Sequence, residues 1–314
     1  MGRLHHAVLD VIRQRGLWGP GDAVAVAVSG GRDSVVLLDL LVATAGAHRG
    51  RLEVVTVDHG VRPGAAEDAA FVESLAASYG LASTTYRLQL DPRLDEAGLR
   101  DARYAALDPH PTPKVALGHH QQDQAETLLI AALRGAGTRG LAGMAWTDGR
   151  YVRPLLDVAP AEITRWAEHR RLTWREDPTN QDPRFLRNRV RAELIGAIEE
   201  MRPGAVQGLA RAAGHLAADE ALLEALSVAD ERTVGGALDA AWVASAPAPL
   251  VRRALLRRWP DANAARLDAI VIAAQRGAGR IEMSKNIAVV VSRGAVATEG
   301  DIPAIPPSGK AGSG

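Results

Sequence analysis

The chain has 314 residues, with 37 basic and 37 acidic side chains, a formal net charge of zero and no cysteine. Disulfides, thiolate zinc sites, iron–sulfur clusters and thiol nucleophiles are therefore excluded, and overall charge gives no support for a nucleic-acid binder. No apolar run approaches membrane-spanning length and the first residues lack a signal peptide's apolar core, so a cytoplasmic protein with no membrane association is expected. Hydrophobic residues make up 47% but aromatics only 4%, so the core must rest on Ala, Val and Leu. Three of the basic residues are lysine (Lys114, Lys285, Lys310); in so Arg-rich a chain an isolated Arg is a poor functional signal.

In chain order, Asp22 to Val28 reads as a buried strand, and Val35 to Val42 as the helix after it. Leu52 to Val57, Thr84 to Leu90 and Lys114 to Leu117 are further strands. They alternate with helices over Ala65 to Tyr79, Leu94 to Leu107 and Gln121 to Leu133. This alternation predicts an α/β fold with a doubly wound parallel sheet, in which ligands bind outside the carboxyl ends of the strands. Tyr151 to Leu155 reads as an edge strand, Pro160 to Arg171 as a helix with Pro in its first turn, and Arg184 to Glu200 as a basic helix. The predicted domains are a catalytic domain over 1–202, a smaller, mainly helical accessory domain over 203–300 with a hairpin between Arg280 and Val296, and a tail over 301–314 rich in Pro, Gly and Ser, expected to be disordered.

Two stretches carry chemistry. Ser29-Gly30-Gly31-Arg32-Asp33-Ser34 ends the first strand and opens a helix. Its glycines let backbone approach an anion, while successive N–H groups and the helix N-terminus supply donors. Ser29 and Ser34 add hydroxyls, and Asp33 beside a phosphate implies a bridging Mg²⁺, although a Gly-rich turn with Asp33 as helix cap has the same letters. No Gly-Lys-Ser/Thr follows, so it is not a Walker A loop, and Gly135 to Gly140 fits G-x-G-x-x-G in the wrong context, after a helix, and reads as a flexible loop. The second stretch is Gly118 to Thr127. On helical spacing His119, Asp123 and Glu126 share one face, suited to a cationic substrate or Mg²⁺; an acid-rich first helical turn with a histidine cap fits equally. Gln122 lies about 100° away from Asp123 around the helix.

The first stretch resembles the SGGxDS motif of the N-type ATP pyrophosphatases. The second resembles the HHxxDQxET motif of the tRNA(Ile)-lysidine synthetases. Val57 to Arg62, Leu99 to Tyr104, Gly140 to Met144, Arg153 to Leu156, Glu176 to Asn180 and Arg187 to Arg191 are similar to that family's VDHGLR, RxARY, GLxGM, RPLL, EDPTN and RNxxR elements, in order. The resemblance covers about residues 20 to 200, and departs from it at Gln122, where many members carry Asp.

The resemblance implies ATP as substrate with Mg²⁺, tRNA(Ile) with a CAU anticodon and L-lysine as partners, and leaves a homodimer open. It implies adenylation of C2 of the wobble cytidine and displacement of AMP by lysine. Ser29, Gly30, Gly31, Arg32 and Ser34 would hold phosphates, Asp33 the metal, and Asp58, His59, Arg62 and Arg103 the nucleotide. His119 would stabilise the phosphates, Asp123 and Glu126 would bind lysine, and Arg187, Asn188 and Arg191 would contact phosphates or RNA. Asp33, His119 and Asp123 form the expected catalytic set. A turn salt bridge for Asp58 and Arg62 and a solvated Arg face for Arg187 and Arg191 remain alternatives. Arg252, Arg253, Arg257 and Arg258 are a candidate tRNA-backbone patch. The rival readings are another adenylating or amidating synthetase with the same loop, and a catalytically silent nucleotide- or tRNA-binding module; a thiolase fits poorly without cysteine.

Overall fold

A helix not anticipated from the sequence, α1 (Gly2–Gln14), precedes β1 (Ala23–Ala27) and buries Leu4, Val8 and Ile12, spaced four apart on one face. The computed structural model describes residues 2–58, 60, 64–91, 94–176, 182–284 and 287–301. After β1 come α2 (Arg32–Ala43), α3 (Ala45–His48), β2 (Arg51–Asp58), α4 (Ala65–Ser78), β3 (Ser83–Arg87), α5 (Glu96–Leu107), β4 (Lys114–Ala116) and α6 (Gln121–Leu133). The expected α/β alternation is borne out. β1 runs parallel to β2 on one side and β4 on the other, and β2 runs parallel to β3.

A helical turn, α7 (Thr138–Leu141), replaces the loop expected at Gly135 to Gly140. β5 (Thr147–Asp148) and β6 (Tyr151–Val152) then complete a six-stranded sheet of order β3-β2-β1-β4-β6-β5. Tyr151 therefore lies one strand in from the edge, because the two-residue β5 folds back antiparallel onto β6. α8 (Pro160–Arg170) has Pro in its first turn as expected. The basic helix begins at Leu186, as α9 (Leu186–Arg189), a π-helical turn (Val190–Ile195) and α10 (Gly196–Met201).

The sheet's centre is dry: Val24, Ala25 and Val26 of β1 are 0% exposed. Eight consecutive residues of α2, Ser34 to Leu41, are buried. Each fully buried aliphatic side chain of this kind contributes about 1.5–3 kcal/mol. Within this packing Asp39 is the one charge on α2's inner run, and four donors satisfy it: Tyr79 Oη at 2.7 Å, Trp166 Nε1 at 2.8 Å, and Arg170 Nε and Nη2 at 3.0 Å each. It ties α2 to α4 and α8.

The chain groups into two units, Met1–Ala217 and Ala218–Gly314, divided within α11 (Ala205–Asp230). The second unit holds β7 (Thr233–Val234), β8 (Ala237–Asp239), α12 (Ala240–Ser245), α13 (Ala248–Arg258), α14 (Ala264–Arg276), β9 (Gly279–Ser284), β10 (Ile287–Ser292) and β11 (Ala295–Thr298). Helices carry more of it than strands do. The expected hairpin is the β9–β10 part of a five-stranded antiparallel sheet of order β7-β8-β11-β10-β9.

Candidate functional site

Strand order places a topological switch between β1 and β4, since β1 leads outward to β2 while β4 lies on its other side. The segments leaving the carboxyl ends of these two strands, Ser29 to Ser34 and Gly118 to His120, therefore meet. They meet closely enough that a Cβ on Gly118 would sit 3.2 Å from the backbone of Asp33 and Ser34. Gly30 has φ +84°, a left-handed conformation that favours glycine. Ser34 Oγ donates to Gly31 O at 2.8 Å and accepts from Ser29 N at 3.1 Å, so the loop's hydroxyls already brace its backbone. Arg175 N donates to Gly30 O at 2.9 Å, while the Arg175 side chain pairs with Glu67 and Asp68 of α4.

Asp33 lies in the first turn of α2. Oδ1 accepts from Arg32 Nε at 3.0 Å, and Oδ2 lies 3.4 Å from His120 Nε2. Burial alone would raise this carboxyl, but His120 and Arg32 outweigh it and hold it below the ordinary value. His120 is the N-cap of α6, the histidine cap that the sequence left open as an alternative. Its Nδ1 accepts from Gln122 N at 3.2 Å, and Asp123 Oδ2 accepts from His120 N at 2.9 Å, a capping box. Burial opposes a charge on His120, but the carboxylates of Asp123 and Asp33 raise its affinity for a proton. The available signal was its position three residues before Asp123.

His119 precedes this cap, so it is not on the helix and does not share a face with Asp123 and Glu126. Its Nδ1 is buried with no hydrogen-bond partner among the described residues, as is Arg103 Nε on α5. Burial pushes the His119 ring down to about 3; Asp123 opposes this, and the charges of Arg103, Arg153 and Arg187 reinforce it. A neutral imidazole results, fit to exchange a hydrogen bond rather than a charge.

Asp123 and Glu126 are joined by residues more than sixty positions later. Asp123 Oδ1 accepts from Arg187 Nη2 at 2.8 Å and Arg191 Nη2 at 3.2 Å. Glu126, 0% exposed, accepts from Arg187 and Arg191, and also from Gln122 Nε2 at 2.9 Å. Gln122 thus reaches the same cluster, because it stands four residues before Glu126 and so shares its face. Burial would raise the Asp123 carboxyl, yet His120, Arg187 and His119 hold it well below the usual carboxylate range.

Asp58 ends β2, its Oδ1 accepting from Gly60 N at 2.9 Å; His59 and Arg62 lie outside the described residues, as do Asp177 to Asn180. Asn188 Nδ2 donates to Asp182 O at 3.0 Å. In the second unit Arg252 pairs with Asp268, Arg253 with Glu220, Arg257 with Glu224 and Glu231, and Arg258 with Glu231. The expected basic patch on α13 is thus a charge-compensated ladder. Among the described residues no group of three or more His, Asp or Glu is placed to hold a metal, and no helix is long and apolar enough to cross a membrane.

A parallel sheet with a glycine loop at its switch point, braced by serine hydroxyls and faced by a carboxylate, defines an α/β phosphate-binding class. The PP-loop domain family matches residues 7–198. Relatives described as tRNA(Ile)-lysidine synthase include one from Geobacter sulfurreducens, 43% identical over 70% of this chain and 50% of that relative. Another, from Rhodococcus jostii, is 39% identical over 83% of this chain and 82% of the relative. The chain belongs to the tRNA(Ile)-lysidine synthase family of PP-loop proteins. It spans about half the length of several of these relatives, 50% for the Geobacter protein and 58% for one from Azoarcus. Among solved structures, the U34-tRNA thiolase NcsA of Methanococcus maripaludis shares the fold, with a TM-score of 0.57 at 17% identity over 68% of this chain and 78% of that one.

Proposed function

We propose that this chain adenylates the C2 oxygen of the wobble cytidine in tRNA(Ile) with a CAU anticodon and joins L-lysine to that carbon, releasing AMP and pyrophosphate. The observation that carries the reading is the meeting of the Ser29 to Ser34 loop with the His119 to Glu126 cluster at one switch point. Family membership supplies the substrate class.

In the first step the cytidine oxygen attacks the α-phosphorus, an O–P bond forms and the bond to pyrophosphate breaks. Backbone N–H groups of the loop and the Ser29 and Ser34 hydroxyls hold the departing phosphates. Arg32 and Arg103 face the same nucleotide, with Asp58 at the neighbouring strand end. The neutral His119 is available to donate a hydrogen bond to a phosphate oxygen. In the second step an amine of lysine bonds to C2, the C–O bond to AMP breaks and the amine sheds a proton. Asp123 and Glu126 supply the negative charge that draws the lysine ammonium in, and Arg187, Asn188 and Arg191 contact phosphates or the RNA backbone. Positioning supplies much of the acceleration.

Mg²⁺ suits this site in a limited way. It commonly takes one or two carboxylates plus substrate phosphates and water, and Asp33 is a partly exposed carboxylate at the loop with one neighbour on each oxygen. Asp33 would hold the ion, which when bound neutralises phosphate charge.

The test is incubation with ATP, Mg²⁺, labelled lysine and a tRNA(Ile) transcript bearing CAU. Label transfer to the RNA with AMP release is expected. Ammonia-dependent AMP release on a small acceptor, without transfer, would overturn the reading. Asp33→Ala should reduce AMP formation by about a hundredfold or more, the scale of losing one preorganised electrostatic group, while leaving thermal unfolding close to wild type.

A further inference from the structure

Glu126 has no acceptor position to spare. Oε1 accepts from Gln122 Nε2 at 2.9 Å and Arg191 Nε at 2.7 Å, and Oε2 from Arg187 Nε at 2.8 Å and Arg191 Nη2 at 3.0 Å. A carboxylate offers about four such positions. Asp123 Oδ1 is taken by both guanidiniums and Oδ2 by the His120 N–H. Asp123 keeps one position on Oδ2, so an ammonium can touch that oxygen, but it reaches Glu126, or both carboxylates together, only if a guanidinium leaves.

The guanidiniums are the groups able to leave. Glu126 is 0% exposed and its neighbour Ala125 is part of the core beneath, whereas the Arg187 and Arg191 side chains are 23% and 39% exposed. Arg191 stands in the π-helical turn Val190–Ile195, a rare register that is frequent at functional sites. Departure is costly unless both charges find new partners, because a buried carboxylate stripped of its cation is strongly destabilised. The amine is one replacement. The other must be an anion for the guanidiniums, and phosphate suits their fork geometry.

We infer that Arg187 and Arg191 are specificity-determining residues that fill the Asp123–Glu126 carboxylates in the absence of substrate and are drawn off by substrate phosphates, so that lysine enters only after a phosphate-bearing substrate has bound. The inference rests on the reading of Asp123 and Glu126 as the amine site. Phosphate on the nucleotide and phosphate on the RNA share this chemistry. Linkage makes the coupling reciprocal: lysine should tighten the phosphate-bearing ligand by the same factor.

Calorimetry of lysine binding to the full chain tests this in three arms: protein alone, with an α,β-methylene ATP analogue and Mg²⁺, and with the tRNA(Ile) transcript. Lysine should bind about tenfold or more tightly in at least one phosphate arm than alone, and the arm that responds identifies the source. Arg191→Gln should bind lysine without phosphate about as tightly as wild type does with it, and its coupling should vanish. The wild-type comparison needs no variant, so it stands even if Arg191→Gln fails to fold. One lysine affinity in all three arms would overturn the exchange and leave the amine site intact. No lysine binding in any arm would overturn the amine site, and the exchange with it.

Discussion

His119 keeps a neutral ring inside a ring of charge, and that has a price in acid. Its folded pKa of about 3 lies below the ordinary 6.5, so between those values the unfolded chain binds more protons than the folded one. Stability must therefore fall as pH drops through that window. His48 and His110, also lowered by burial, act in the same direction; the raised His120 acts oppositely, and Asp33, Asp39 and Asp123 contribute only nearer and below their ordinary 3.8. His119→Asn should remove its own share, lessening the loss between pH 7 and pH 5 by about 2 kcal/mol in denaturant titrations. A second residue-scale prediction concerns Gln122, where many family members carry an acid. Gln122→Asp would take away the 2.9 Å donor to Glu126 and add a negative charge beside it. The cluster would then attract an incoming cation more strongly, and the KM for lysine should fall about fivefold, the scale of one partly screened charge interaction. A KM that rises instead would show that the Gln122 amide holds Glu126 in its working position.

At the scale of elements, Asp39 does for three helices what no apolar residue could. It accepts once from Tyr79, the C-cap of α4, and three times from α8 while standing on α2, whose other residues between Val35 and Leu41 are aliphatic. Asp39→Ala leaves the Tyr79 hydroxyl, the Trp166 indole and the Arg170 guanidinium without their acceptor, and should cost about 3 kcal/mol, read as a lowered denaturation midpoint. A change below about 0.5 kcal/mol would mean water replaces the carboxylate. The sequence showed α2 plainly, because its Val and Leu run follows a Val-rich strand and a glycine turn, and it showed the other strand–helix pairs for the same reason. It could not show β5, two residues long, whose existence depends on pairing with β6, and so Tyr151 to Leu155 read as the edge when β6 lies one strand in, between β4 and β5. Nor could it show that Arg187 and Arg191 close on Asp123 and Glu126, since that meeting depends on α9 and the π-helical turn packing against α6, not on local spacing. His119 shows the same kind of limit: helical spacing extended from α6 carries it onto the helix face, but it stands one residue outside the cap that His120 provides.

At the scale of the whole molecule, the position of the division decides what supports the site. The sequence suggests a catalytic domain over 1–202, whereas the contact grouping keeps Met1–Ala217 together. The difference is the first half of α11. Val206 and Leu209 cover the small core of Ala125, Val190 and Ile195, the layer directly under Glu126 and Arg191. Ala213 is 0% exposed and lies 3.4 Å from where a Cβ on Gly143 would sit, while Gln124 holds Met144 next to it through two hydrogen bonds. Glu199 accepts from Gly204 N and from Val206 N at 2.9 Å, which fixes the entry to the helix. A fragment ending at Arg202 loses all of these, and burial of two or three apolar side chains is worth about 3 kcal/mol or more. For a unit of this size that corresponds to a Tm lower by about 6–12 °C than that of a fragment ending at Ala217. Scanning calorimetry of the two fragments side by side measures it. Equal transition temperatures would place the boundary at Arg202 and make the first half of α11 a connector. The expected gap would instead make it the floor of the carboxylate–guanidinium cluster, so that whatever moves this helix also moves Arg191.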